Sequence, residues 1–154
     1  CLDFHDYLET LENSPSFFNR KFITDVIALA KKHDVRVIIK PKRPDPRVQQ
    51  SYTDLLKKLQ EDDEVNILPP DIAPSRLIAK CTAAIVMPFS TVGYFGEKET
   101  QICFYDVVGK FDGQHEAAMG TKIMSSYKEL DEWLASLGGL KSLRESAYAS
   151  KVDE

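Results

Sequence analysis

Four short stretches place chemistry-bearing residues directly after apolar runs. "KPKR" brings Lys40, Lys42 and Arg43 to the end of "VRVII", and "LPPD" brings Pro70 and Asp71 to the end of "EVNI". "PFST" sets Ser90 and Thr91 after "TAAIVM", and "ICFYD" ends on Tyr105 and Asp106. Three cations close together in an acidic chain fit a clamp for phosphate or carboxylate, and fit equally an ordinary solvated loop. Ser90 and Thr91 stand where a helix should begin. Hydroxyls beside the unpaired N–H groups of a helix start can hold a phosphate, and they can also simply cap the helix. The stiff "LPPD" turn suits backbone contact with a nucleobase, or just the stop of a strand. Asp106 suits a sugar hydroxyl or a metal, with Tyr105 stacking or hydrogen bonding nearby. An aspartate in that position is also a common turn former.

Several chemistries are excluded by spacing. No Gly-Lys-Ser/Thr follows the third stretch, so it is not a phosphate loop of the Walker kind, and "GYFG" lacks the Gly-x-Gly-x-x-Gly of a dinucleotide fingerprint. Ser90 is not in Gly-x-Ser-x-Gly, which argues against a hydrolase elbow. His5, His33 and His115 have no metal-ligand spacing; His115, beside Glu116 in a glycine-bearing loop, is the one to follow. Cys1, Cys81 and Cys103 are odd in number and form no Cys-x-x-Cys pair, so they read as small hydrophobes in a reducing compartment.

The elements that must position these residues follow from periodicity. "NSPSFFNRKFITDVIALAKKHD" reads as a helix with Ser14 as N-cap, Pro15 in the first turn, and Phe18, Phe22, Val26, Leu29 and Ala30 on one face. "VRVIIK" reads as a strand, and "SYTDLLKKLQEDD" as a helix with Leu55, Leu56 and Leu59 inward. "EVNILPPD" is a short strand, and "APSRLIAKC" a helix with Leu77 and Ile78 inward. "TAAIVMP" is apolar without alternation, the pattern of a strand buried on both faces. "STVGYFGEKE" reads as a short helix or turn and "QICFYD" as a strand. "VVGKFDGQHEAAMGTKI" reads as loop, and "SYKELDEWLASL" as a helix with Leu130, Trp133, Leu134 and Leu137 on one face.

Strands alternating with helices predict an α/β fold, a Rossmann-like open parallel sheet with helices on both faces. In such sheets ligands sit at the carboxyl ends of the strands, where all four stretches lie. The chain has 154 residues, 43% of them hydrophobic, with a net charge of −4. That is enough for one domain, placed at 1–138 with a weakly helical tail at 139–154, and it is the wrong charge for a nucleic-acid binder. There is no run long enough to span a membrane and no signal-peptide pattern. The first residue is Cys, which reads as a fragment or processed chain.

"VRVIIKPKR", "LPPDIAPSRLIAKCTAAIVMPFST", "ICFYDVVGKF" and "YKELDEWL", in this order from about 34 to 137, resemble bacterial surface-polysaccharide glycosyltransferases of the GT-B type. Within that type they resemble the capsule and O-antigen transferases that use CMP-activated ulosonic acids such as Kdo. Two departures stand out. The order here is Phe-Ser-Thr where that group has Phe-Thr-Ser, and the glutamate that would hold the ribose has only Glu97 as a candidate.

The resemblance implies the C-terminal, donor-binding half of a two-domain cytoplasmic enzyme. Ser90 and Thr91 would contact the donor phosphate. Lys40, Lys42 and Arg43 would neutralise phosphate or the sugar carboxylate, and the Pro69–Asp71 turn would lie near the base. It further implies a nucleotide-sugar donor, no metal or other cofactor, and a glycan or lipid-linked acceptor. The missing N-terminal domain would carry most of the acceptor site, and peripheral membrane association of the full enzyme is compatible with this. The competing expectations are a nucleotide-sugar epimerase of the same shape and a non-enzymatic α/β interaction module.

Overall fold

A computed structural model describes residues 15–41, 50–94, 101–111, 113 and 115–138. In chain order it contains α1 (Pro15–Lys32), β1 (Val37–Ile39), α2 (Gln50–Leu59), β2 (Val65–Ile67), α3 (Pro74–Ile78) and β3 (Ala83–Val86). A 3-10 turn (Thr91–Tyr94), β4 (Gln101–Tyr105), a second 3-10 turn (Glu116–Ala118) and β5 (Lys122–Met124) follow. The last described element is α4, residues 127–138. The proposed N-cap Ser14, the tail at 139–154 and Cys1 lie outside the described residues.

Every strand pairing is parallel, so the fold is the expected α/β arrangement. The strands form two ladders, β1-β2 and β3-β4-β5. Strand patterning is local and carries no record of which strands pair, so this division is not legible in the sequence. Helix α1 joins the ladders through the core. Leu29, fully buried, packs with Cys103, Tyr105, Met124, Leu130 and Trp133. Ile23 and Ile27 pack with Val65 and, through half-buried contacts, with Tyr52, Leu55, Leu56 and Leu59 of α2. Phe22 touches both groups. The single apolar face expected for α1 is therefore too narrow: Ile23 and Ile27 widen it into an arc serving two neighbours.

β4 is the central strand of its ladder, and its side chains alternate between two environments. Cys103 and Tyr105 face the side covered by α1 and α4. Phe104 faces the opposite side, packed with Phe111, Ala118 and Ile123. Among the described residues that second face is covered by the loops and 3-10 turns between 89 and 118, and by no α-helix. β3, expected to be fully buried, has half-buried residues and lies at the edge of its ladder among the described residues.

The stretch read as loop, 107–123, contains the second 3-10 turn and most of β5. This corrects the sequence reading. Three residues after Gly120 and Thr121 show no strand signal of their own. They gain their place by pairing with the buried β4, with Ile123 and Met124 packing on opposite faces.

α4 begins with reciprocal capping: the Ser126 hydroxyl accepts from the Glu129 N–H at 3.2 Å, and the Glu129 carboxylate accepts from the Ser125 N–H at 2.7 Å. Its Asp131 ties back to the end of α1, meeting Lys32 Nζ at 2.5 Å and His33 Nε2 at 2.6 Å. Lys32 first, and His33 after it, hold the Asp131 carboxyl below its usual range. A depressed carboxylate contributes stability above its unfolded pKa, and that contribution is lost as pH falls through its folded value. Asp131→Asn is therefore expected to lower the melting temperature modestly near neutral pH. The difference from wild type should hold down to about pH 4 and fade only below that, as pH falls through the depressed folded value. A gap of equal size in acid would show that Asp131 acts by packing instead.

Candidate functional site

Met87, Pro88, Phe89 and Ser90 form a tight turn at the carboxyl end of β3. The Ser90 N–H donates to the Met87 carbonyl at 3.2 Å. Pro88 occupies the second position, which suits its fixed φ, and Phe89 the third, with φ of 60°. A positive φ there defines a type II turn, and type II turns favour glycine or asparagine at that position. An aromatic residue in the left-handed region costs roughly 1–2 kcal/mol. The cost is offset by the ring, which lies 5.8 Å from Phe104, 5.0 Å from Phe111 and 5.3 Å from His115, centroid to centroid.

The chain then enters the first 3-10 turn. Gly93 lies close against the Phe104 ring: a Cβ at Gly93 would sit 2.1 Å from a ring carbon of Phe104. The Gly93 N–H donates to the Ser90 carbonyl at 2.9 Å. Two backbone bonds, the three ring contacts of Phe89 and the Gly93–Phe104 contact thus fix the path on either side of Ser90 and Thr91. Among the described residues neither hydroxyl has a hydrogen-bond partner. The helix expected after "PFST" is a 3-10 turn of four residues, so any anion here would be held by hydroxyls and local N–H groups more than by a helix dipole. Glu97 lies outside the described residues.

The neighbouring loop follows β4, whose Phe104 pairs with Val86 of β3. Asp106 is fully buried. Its Oδ1 accepts from the Val108 N–H at 3.0 Å, and its Oδ2 from the N–H groups of Lys110 at 2.6 Å and Phe111 at 3.0 Å. This is the turn-forming role in full, with both oxygens committed to the backbone. Tyr105 is buried too, and its hydroxyl donates to Asp25 on α1 at 2.7 Å, on the face away from Phe104. Burial, followed by the bond to Asp25, pushes the phenol well above its ordinary range, so it remains a donor at any physiological pH. Burial likewise raises the Cys103 thiol, which behaves as a small hydrophobe.

Lys40 and Pro70 meet at the ends of the other ladder. Lys40 Nζ donates to the Pro41 and Pro70 carbonyls, both at 3.1 Å, and has no carboxylate partner among the described residues. An ammonium carries three donors, so with these two made one donor is left in hand. Asp71 follows on the exposed side of the same turn. Lys42 and Arg43 lie outside the described residues. The expected residues therefore come together as two groups, Lys40 with Pro70 and Asp71, and Ser90 with Thr91 beside the Asp106 loop. No described hydrogen bond or ion pair joins the two.

The residues that shape the second group were largely silent in the sequence. Phe89, Gly93, Phe104 and Phe111 read as core or punctuation. His115 alone was marked, by its glycine-bearing loop. Its Nδ1 accepts the Ala117 N–H at 3.2 Å, which leaves the proton of the neutral ring on Nε2. Among the described residues no group of His, Cys, Asp and Glu could hold a metal ion, and no helix is long and apolar enough to cross a membrane.

In parallel α/β folds ligands commonly sit at the carboxyl ends of the strands, which is where this strained, hydroxyl-bearing turn lies. Residues 16–134 match the model of a family described as "Polysaccharide biosynthesis PFTS motif protein". That span is more than half of the chain, and the chain belongs to this family of polysaccharide-biosynthesis proteins. The matched span includes Pro88-Phe89-Ser90-Thr91, a string that differs from the letters PFTS in the order of its last two residues. No curated protein and no solved structure matches the chain.

Proposed function

We propose that this chain is the donor-binding half of a glycosyltransferase in bacterial surface-polysaccharide synthesis. Its build would be that of one half of a GT-B enzyme, working in the cytoplasm on a nucleotide-activated sugar, with CMP as the nucleotide. The observation that carries the reading is the Pro88–Thr91 turn, where two hydroxyls with no partner among the described residues stand at the carboxyl edge of a parallel sheet in a polysaccharide-biosynthesis family. Ser90 and Thr91 would donate to the phosphate of the departing nucleotide. Lys40, with Lys42 and Arg43, would neutralise that phosphate or the sugar carboxylate, and the Pro70–Asp71 turn would border the base. Asp106 would act from behind, by fixing the loop that bears Phe111. Donors already in place as charge develops on the leaving phosphate lower the barrier without rearrangement. A second domain would bring the glycan or lipid-linked acceptor.

Calorimetric titration of the chain with CMP, UDP and GDP tests this reading. Saturable binding of CMP in preference to the other two is the expected result. A preference for UDP or GDP would keep a donor site and overturn the CMP assignment. Absence of binding by all three would contradict a donor site formed by this chain.

A further inference from the structure

The loop at 115–121 contacts the residues that flank the Ser90–Thr91 pair on both sides. In front of the pair, the His115 ring lies 5.3 Å from Phe89 and 5.2 Å from Phe111. Behind it, Thr121 Oγ1 donates to the Gly93 carbonyl at 3.2 Å, and the Tyr94 hydroxyl donates to the Ala117 carbonyl at 2.5 Å. His115 is itself fixed, because its Nδ1 caps the second 3-10 turn through the Ala117 N–H. The same short loop thus braces the strained Phe89 before the pair and Gly93 and Tyr94 after it.

We propose that the 115–121 loop is the positioning element of this site, with His115 and Thr121 as its two positioning residues. The geometry supports this on two counts. Phe89 holds a backbone conformation that its own side-chain type disfavours, so something outside the turn must hold it there. The rings of Phe104, Phe111 and His115 supply that hold, and the segment that bears His115 also hydrogen-bonds to Gly93 and Tyr94 on the far side of the pair. A turn braced at both ends presents its hydroxyls to a ligand in one geometry, which removes ordering cost from binding. The inference rests on the donor-site reading for its consequence, though not for its geometry.

The test uses His115→Ala, Thr121→Val and the cap-preserving His115→Asn in the whole chain, with native Trp133 emission as the control for folding. The first readout is the backbone amide spectrum with no nucleotide added. His115→Ala and Thr121→Val should each move the amide signals of Ser90 and Thr91, and His115→Asn, which can still accept the Ala117 N–H, should move them less. The second readout is CMP affinity, which should fall roughly tenfold in His115→Ala and Thr121→Val. Unmoved Ser90 and Thr91 amides in both folded variants would overturn the proposal. Moved amides with unchanged CMP affinity would overturn the claim that the brace serves the site. If the wild-type chain binds no nucleotide, the donor reading fails, and the amides alone decide the brace.

Discussion

Asp106→Ala is expected to cost the chain about 3–5 kcal/mol of stability, the largest effect of any single polar substitution among the described residues. Asp106 is fully buried and accepts three backbone N–H groups, from Val108, Lys110 and Phe111. Removing the carboxylate leaves those donors inside the protein without their acceptor. It also releases Phe111, whose ring packs edge-on against Phe89 at 5.0 Å. Asp106→Asn should recover only part of the loss. It restores one acceptor oxygen and turns an NH2 group toward donors that need an acceptor. The measurement is urea unfolding followed by the emission of Trp133, the chain's single tryptophan, which is buried against the same ladder. An alanine variant within about 1 kcal/mol of wild type would show that water or loop rearrangement satisfies the three N–H groups.

The second large effect is on binding. In the double variant Ser90→Ala/Thr91→Ala, affinity for CMP should fall on the order of a hundredfold, because a hydrogen bond to a charged group contributes about 1.5–3 kcal/mol. Stability should change little, since neither hydroxyl has a partner among the described residues. This separation distinguishes the pair from Asp106, whose replacement lowers binding only by disturbing the fold. Calorimetry on the folded variant reads the first quantity and thermal unfolding the second. Full affinity in the double variant would remove Ser90 and Thr91 from the site.

Much of this arrangement was open to a reader of the sequence, and the gaps have physical causes. The helices α1, α2 and α4 and the strands β1 to β4 follow from apolar periodicity and from prolines at their ends. The position of "PFST" directly after an apolar strand is enough to make Ser90 and Thr91 candidates. β5 was missed because Lys122, Ile123 and Met124 become a strand only against β4, through tertiary pairing with no local signal. The shape of the turn was missed for a similar reason. Left-handed φ is read from glycine or asparagine, and Phe89 adopts it only because distant rings hold it. Tyr105 and Asp106 were marked correctly as a strand end, yet nothing in "FYD" tells that one side chain turns to Asp25 and the other into its own loop. The likeness to CMP-sugar transferases reached further than the residues alone, and the family assignment supports its coarser part, polysaccharide biosynthesis.

The central claim is that a nucleotide phosphate sits at the Pro88–Thr91 turn. It is tested most directly by titrating CMP into the isotope-labelled chain and following the backbone amides. The account predicts one saturable event, with the largest shifts at Ser90, Thr91 and Val92 and smaller ones at Lys40 and in the 106–111 loop. Saturable binding whose shifts fall elsewhere, leaving Ser90 and Thr91 unmoved, would contradict it.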